Sequence, residues 1–361
     1  MYVITNRNLN EDAKGLDKFE KRINVKGPNE LRLVEVKSTN SGVTTEILED
    51  KLEQEEVNAL IKKHSLVIDG TKTWYSSLRV ACLLYEEARR KKKSILFYVH
   101  GYNNDMGDVL RASAAMEKAY DVIVLVFSWP ANGGGIEGYP AYLSDKRDAR
   151  ASCDALARAI QKISFFHEKL TEGLRLKLQM KAETEAGDNP TEAQIRFSKL
   201  LDSECHSRLN MICHSMGNYV LKYALIPGHS GARSLVFDNV ALVAADANNK
   251  EHEVWVERIQ TRNRLYIVIN ENDFALKWSR RKPGEEQLAR LGHYLKELVA
   301  RNATYLNVTE ASWVKGEHGY FWGEAIAKNE DLKRMFEAIF EGDVAETDMR
   351  YRLDGNYYEL K

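Results

Sequence analysis

Short apolar runs along the chain alternate with longer stretches in which apolar residues recur at helical spacing. The runs Tyr2–Thr5, Leu31–Val36, Ile95–His100, Val122–Phe127, Leu209–Cys213, Val240–Ala245, Leu265–Asn270 and Thr304–Val308 read as strands. The stretches Lys51–Lys63, Trp74–Lys92, Asp105–Ala119, Leu143–Leu170, Met216–Leu225, Glu251–Gln260, Gly284–Ala300 and Glu324–Glu341 read as helices. Runs such as Val122–Phe127 are apolar on both faces, as a strand covered on each side requires. The alternation predicts an α/β fold: a mainly parallel sheet of about eight strands with helices on both faces.

Two regions break this rhythm. Residues 8–50 are polar with weak periodicity, and an irregular or hairpin-like N-terminal part is expected there; residues 1–50 are read as strands and an extension belonging to the main domain, with 51–361 as its core. Residues 171–207 carry mixed charges, and Asn189-Pro190 has the layout of a helix start, so a helix is expected over 191–204. Leu174–Met180 alternates strictly yet follows a helical pattern, so helix and strand both remain open for it. Because the segment ends just before the strand leading to Ser215, it is expected to be an insertion capping the catalytic end of the sheet; the alternative is an excursion away from the site.

Composition narrows the function classes. Lys plus Arg number 52 against 53 Asp plus Glu, a formal net charge of −1, which argues against a chain held mainly by nucleic-acid phosphates. No apolar run approaches the roughly 18 residues of a membrane span, and the first residues lack a signal layout, so a soluble, cytoplasmic protein is expected. Cys82, Cys153, Cys205 and Cys213 form no C-x-x-C pair, and no His-Glu-x-x-His or similar ligand set occurs; neither a disulfide framework, a metal nor another cofactor is expected.

The chemistry concentrates in Leu209–Leu221. A short apolar strand runs into Cys213-His214-Ser215-Met216-Gly217 and then directly into an apolar helix. That is the layout of a nucleophile elbow, small-x-Ser-x-Gly, with Cys213 where a glycine usually stands. A sharp strand-to-helix turn holds the serine in a strained backbone conformation and lifts its hydroxyl above the sheet edge, and helix-start N–H groups favour negative charge there. The bland reading is a tight turn with a serine cap. Upstream, Ser94–Asn104 is a strand ending in His100-Gly101. Gly101 lets the chain turn so that the Tyr102 N–H points inward, and with the Met216 N–H it would form an oxyanion hole. His100 competes as a base, but its place at a strand end points to a structural hydrogen bond.

Val99-His-Gly-Tyr-Asn103 and His214-Ser-Met-Gly-Asn218 together resemble the α/β-hydrolase superfamily, and more narrowly a bacterial branch of α/β hydrolases of unknown function. Thr5-Asn-Arg7, Phe127-Ser-Trp-Pro130, Tyr142-Leu-Ser-Asp145, Ala244-Ala-Asp246, Asn272-Asp-Phe-Ala-Leu276 and His318-Gly-Tyr-Phe321 fit the same resemblance in order and placement. Cys213 in the elbow and the 171–207 insertion depart from it.

The resemblance implies a carboxylate and then a histidine after the serine. Asp273 follows the strand Leu265–Asn270, at the sheet edge where ligands of such folds bind, although an Asp before Phe274–Lys277 also suits a helix cap. Asp246, at the end of the preceding strand, is the alternative acid. For the base, His318 lies in a glycine-flanked loop after the last strand. His293 falls in a predicted helix, His64, His167, His206, His229 and His252 read as surface residues, and His214 as structural.

Other features take simpler readings. Gly133–Gly135 lacks the Gly-Lys-Ser/Thr of a phosphate loop and reads as a loop near the pocket mouth; Arg89–Lys93 reads as a solvated helix terminus. Trp129, Tyr139, Tyr142, Tyr320 and Phe321 suit either an acyl pocket or the core. The expectation is a serine esterase or lipase-type hydrolase acting on a small-molecule ester or acyl substrate through Ser215, His318 and Asp273. The alternatives are an amidase, thioesterase or acyltransferase with the same triad, or a non-catalytic interaction or defence-associated module on the hydrolase fold.

Overall fold

The structure is a computed structural model that describes residues 1–39, 42–132, 139–187, 189–204, 208–225, 235–280 and 289–360. The strands are β1 (Tyr2–Thr5), β2 (Arg7–Leu9), β3 (Phe19–Ile23), β4 (Arg32–Thr39), β5 (Gly42–Ile47), β6 (Ile95–Val99), β7 (Ile123–Ser128), β8 (Leu209–His214), β9 (Asn239–Val243), β10 (Arg264–Ile269), β11 (Ala303–Asn307), β12 (Arg350–Arg352) and β13 (Tyr357–Glu359). The helices are α1 (Gln54–His64), α2 (Ser76–Lys91), α3 (Met106–Tyr120), α4 (Tyr139–Ala151), α5 (Cys153–Ala186), α6 (Pro190–Glu204), α7 (Gly217–Ala224), α8 (Glu253–Val256), α9 (Phe274–Ser279), α10 (Glu324–Lys328) and α11 (Glu330–Glu341).

The main sheet has 11 strands in the order β12-β13-β11-β10-β9-β8-β6-β7-β1-β4-β5. Neighbours are parallel from β1 across to β13, while β4, β5 and β12 are antiparallel additions at the edges. Strands and helices thus form a doubly covered, mainly parallel sheet, and all eight expected strands lie in it. The additional strands are short or solvent-facing: β12 is two arginines around a tyrosine, and β5 is half-exposed with a threonine pair at its centre, so neither presents an apolar run.

Alternation along the strands divides the core into two faces. Ile123, Leu125 and Phe127 of β7 point to one side, where α2, α5 and α7 supply Val80, Leu84, Leu156, Ile160, Val220 and Leu221. Val122, Val124 and Val126 point to the other, where α3 and α11 supply Val109, Met116, Met335, Phe336 and Ile339. Full burial of each such side chain is worth roughly 1.5–3 kcal/mol against exposure, which is what fixes the helices to their faces.

Several expected elements change. The single helix Leu143–Leu170 divides at Ser152, whose buried hydroxyl bonds back to the Asp148 carbonyl at 2.7 Å and accepts from Asn6 Nδ2 at 2.9 Å. Glu324–Glu341 divides at Asn329, whose side chain caps α11 by accepting from Leu332 N. Residues 284–288 of the expected helix Gly284–Ala300 lie outside the described residues. Over 289–300 there is no α-helix, only a 3-10 turn at Leu291–His293. Its backbone is used elsewhere: Leu291 N donates to Ala247 O, Gly292 N to Ala245 O, and Gly292 O accepts from Asn270 N. Leu174–Met180 is helical, being part of α5.

The described part of 171–207 is helical. The second half of α5 and α6 make a helical hairpin against α1 and α2. Leu170, Leu174, Leu178 and Ala182, spaced four apart on one face of α5, join Val57, Leu66, Leu78, Cys82 and Phe197 in a separate apolar cluster. That cluster contains none of the loops that carry Ser215, Asp273 or His318. An apolar stripe needs a partner, and this one finds it on the α1–α2 flank. Among the described residues no helix is long and apolar enough to cross a membrane.

Candidate active site

Because β6, β8, β10 and β11 run parallel, the loops leaving their C-terminal ends emerge at one edge of the sheet. Those loops carry Gly101–Asn104, Ser215, Asp273 and His318.

Ser215 follows β8 directly and sits at φ 52, in the left-handed region that a residue with a Cβ normally avoids. The strain is held by bonds on both sides. Ser215 N donates to Val243 O at 3.0 Å, and Ser215 O accepts from Asn218 N and from Asp246 N at 3.1 Å each. The Asn218 amide, fully buried, donates to Cys213 O, Ser215 O and Val243 O, stitching the turn to the end of β9. The small residues are required by contact. A Cβ on Gly217 would stand 2.6 Å from Val99 O, and one on Gly101 would stand 2.7 Å from the Ser215 Cβ. Cys213 is buried in the core, and burial holds its thiol well above the ordinary range, so it packs as a small apolar residue.

His318 and Asp273 meet. His318 Nδ1 lies 2.7 Å from Asp273 Oδ2, and since an ionised carboxylate only accepts, Nδ1 is the donor and Nε2 faces away. Asp273 is fully buried and also caps α9, its Oδ1 accepting from Leu276 N at 3.0 Å. Helix cap and histidine partner are therefore the same carboxylate. The loop of His318 is tied to the loop of Asp273: Asn270 Nδ2 donates to Lys315 O and Glu317 O, and Phe274 N to Gly316 O. The His318 ring rests against His214, the residue before Ser215, with centroids 4.6 Å apart, and His214 Nε2 lies 3.1 Å from His318 O. The Ser215 hydroxyl and His318 Nε2 form no hydrogen bond among the described residues. Such contacts are often long in a free enzyme and tighten when substrate binds.

Burial is the largest single influence on His318 and pulls its pKa down; the Asp273 charge and hydrogen bond, with a further contribution from Asp246, together outweigh it and hold the pKa above the ordinary histidine value. His214 goes the other way, well below that value, through burial and the neighbouring His318.

Asp246 is engaged differently. It is buried, 3.0 Å from Arg290 Nε, accepts from Ser279 Oγ at 2.6 Å and from the Tyr142 hydroxyl at 3.0 Å. No bond joins it to a histidine among the described residues. His100 bonds through Nδ1 to Gly101 O and stacks on Trp129, and burial followed by the nearby Arg7 charge lowers its pKa to about 3. It is held neutral.

Arg7 is the residue that sequence reasoning passed over, though it lies in Thr5-Asn-Arg7. Its fully buried guanidinium donates to Asn104 O, Ala131 O and Ser128 Oγ, at 2.9–3.1 Å. Asp145 takes the same loops from the other side, accepting from Asn103 N and Asn132 N. Together they fix the Tyr102–Asn104 turn, in which Asn103 stands at φ 56. Tyr102 itself packs edge-on to Tyr142. Arg7 could have been noticed as a lone cation inside an otherwise buried stretch, which demands acceptors.

The histidines expected at the surface divide. His252 is fully buried, bonded to Asn249 O and the Tyr305 hydroxyl; His64 and His167 are partly buried, and His206 and His229 lie outside the described residues. His293 is buried, and its ring nitrogens have no hydrogen-bond partner among the described residues. Trp129, Tyr142, Tyr320 and Phe321 are buried in the core; the side chain of Tyr139 and all of Gly133–Gly135 lie outside the described residues. The Arg89–Lys93 run ends α2, with Lys91 on Glu87 and Lys93 on Asp121. Among the described residues no group of three or more His, Cys, Asp or Glu is placed to hold a metal ion.

Residues 82–170 match the family model described as alpha/beta hydrolase of unknown function (DUF900), a span that holds Val99–Asn103, Phe127–Pro130 and Tyr142–Asp145 but not Ser215, Asp273 or His318. Neither the curated proteins nor the solved structures compared with the chain give a match. The doubly covered, mainly parallel sheet has the architecture of the α/β-hydrolase fold, and over residues 82–170 the chain is similar to that branch of the superfamily.

Proposed function

We propose that the protein is a serine hydrolase that cleaves carboxylic esters through an acyl-enzyme on Ser215. The observation that carries this reading is the His318–Asp273 bond at 2.7 Å, with the His318 ring packed on the residue preceding a left-handed serine. In the proposed reaction His318 Nε2 takes the Ser215 proton as the hydroxyl oxygen attacks the ester carbonyl. The N–H groups of Tyr102 and Met216 hold the oxyanion. His318 then returns the proton to the leaving alcohol, and water, activated by the same imidazole, releases the acid. Asp273 keeps Nδ1 protonated, so that Nε2 presents its lone pair, and it stabilises the imidazolium. Arg7 and Asp145 hold the Tyr102 turn in register.

The test is labelling by a fluorophosphonate probe in wild type, Ser215→Ala and His318→Ala, alongside hydrolysis of short p-nitrophenyl esters. Stoichiometric labelling lost in both variants, with turnover lost in parallel, is the expected result. Equal, weak labelling of all three would overturn the assignment in favour of a non-catalytic module.

A further inference from the structure

A cavity of about 610 Å³ lies under α2 and α5, lined by none of the residues of the proposed catalytic site. We propose that it binds one long-chain fatty carboxylate, with the chain along the sheet and the head group at Arg158 and Lys162.

Its floor crosses five adjacent strands: Leu33 of β4, Ile4 of β1, Leu125 of β7, Ile95 of β6 and Leu209 of β8. Four inter-strand steps of about 4.8 Å make that floor roughly 19 Å long. Val80 and Leu84 of α2 and Ile163 and Phe166 of α5 close it from above. The floor is apolar, yet Ile4, Leu33 and Ile95 are only partly buried, whereas Phe97 and Phe127 on the same face are fully covered. Protein interiors rarely leave apolar walls without packing partners, and the volume falls in the usual range for small-ligand sites, roughly 300–1,000 Å³. A long apolar floor matches an extended acyl chain better than a compact ring system.

Charge decides the orientation. At the β8 end Arg208 is engaged by Asp343 and the Glu341 carbonyl. His167 there accepts from Arg262, and burial followed by the Arg262 charge lowers its pKa to about 4, so it is neutral. At the β4 end Arg32 faces Asp50, and Glu30, Glu49 and Lys51 also line the mouth. Arg158 and Lys162 stand one helical turn apart on α5 with no carboxylate within ion-pair distance among the described residues; Arg158 bonds only the Asn29 carbonyl, and Lys162 lies over the Tyr75 ring. Like charges at that spacing repel, and partial desolvation followed by the Arg158 charge lowers the Lys162 pKa. A carboxylate between them relieves both.

The experiment titrates the full chain with cis-parinaric acid, a fluorescent fatty acid, and displaces it with palmitate or with hexadecanol. One saturable site is expected, displaced by palmitate at least tenfold better than by hexadecanol. The exposed double variant Arg158→Glu/Lys162→Glu should bind at least tenfold more weakly, and Ala81→Trp, which fills the channel, should not bind. Ser215→Ala should bind as wild type, so loss of the hydrolase reading would leave this one standing. Absence of saturable binding, equal displacement by the alcohol, or indifference to the charge reversal would overturn the proposal. So would loss of binding in Ser215→Ala.

Discussion

Asp273 gives one carboxylate oxygen to His318 Nδ1 at 2.7 Å and the other to the first turn of α9 at Leu276 N. The two duties separate chemically. Asparagine at this position still offers an oxygen to Leu276 N and still caps, but its amide presents N–H to the imidazole and favours the wrong tautomer. Asp273→Asn is therefore expected to reduce kcat about 10³–10⁴-fold, the scale of losing the tautomer-fixing acid, while moving stability by under about 1 kcal/mol. Ester turnover together with urea unfolding checks both halves.

The raised pKa of His318 sets the pH profile. Only the neutral ring accepts the Ser215 proton, so kcat/KM should climb with pH through a midpoint above the ordinary histidine value of about 6.5. Replacing Asp273 by Asn removes the charge that raises it, and the residual activity should then turn on at lower pH. The stability consequence has a defined sign. A base whose folded pKa exceeds its unfolded value stabilises the fold fully below the unfolded pKa and loses that contribution as pH rises through the folded one. The fold should thus gain less from the His318–Asp273 pair at pH 8 than at pH 6. A profile flat from pH 5 to 8 would remove His318 as the base.

Asp246 invites the opposite experiment. It is buried against Arg290, itself 4% exposed, and accepts from Ser279 and Tyr142. Removing one partner of a buried ion pair takes that countercharge from the other, at a cost of about 3–5 kcal/mol. Asp246→Ala should lower the unfolding free energy by that amount yet retain phosphonate labelling of Ser215 in the folded fraction. Folded but unreactive protein would instead make Asp246 the acid.

These contrasts show what could be read from residues alone. Ser215, Asp273 and His318 lie at the ends of strongly apolar strands, where periodicity places loops well, and the loop after each strand of a parallel sheet has only one edge to emerge from. Asp273 and Asp246 both follow strands, so residues alone leave both as candidates; the Arg290 contact that distinguishes the surroundings of Asp246 spans 44 residues of sequence. The surface against which the α5–α6 hairpin packs is not legible in the sequence, because its stripe, Leu170 to Ala182, states that a partner is needed but not which surface supplies it. The helix expected around His293 failed for a related reason: tertiary backbone bonds to Ala245, Ala247 and Asn270 outcompete helical ones.

The elbow itself makes the last prediction. At φ 52, any residue with a Cβ at position 215 carries strain of about 1–2 kcal/mol that glycine does not. Glycine returns roughly 0.5–1 kcal/mol of this through the greater freedom of its unfolded chain. Ser215→Gly should therefore be more stable than Ser215→Ala by about 1 kcal/mol or slightly less, although both lose the hydroxyl and with it all labelling. Alanine keeps the strain without the nucleophile, which isolates the conformational contribution. Ser215→Gly less stable than Ser215→Ala by about 0.5–1 kcal/mol would mean that Asn218 and the Val243 carbonyl hold the turn without strain, and that the hydroxyl is not held at the expense of backbone stability.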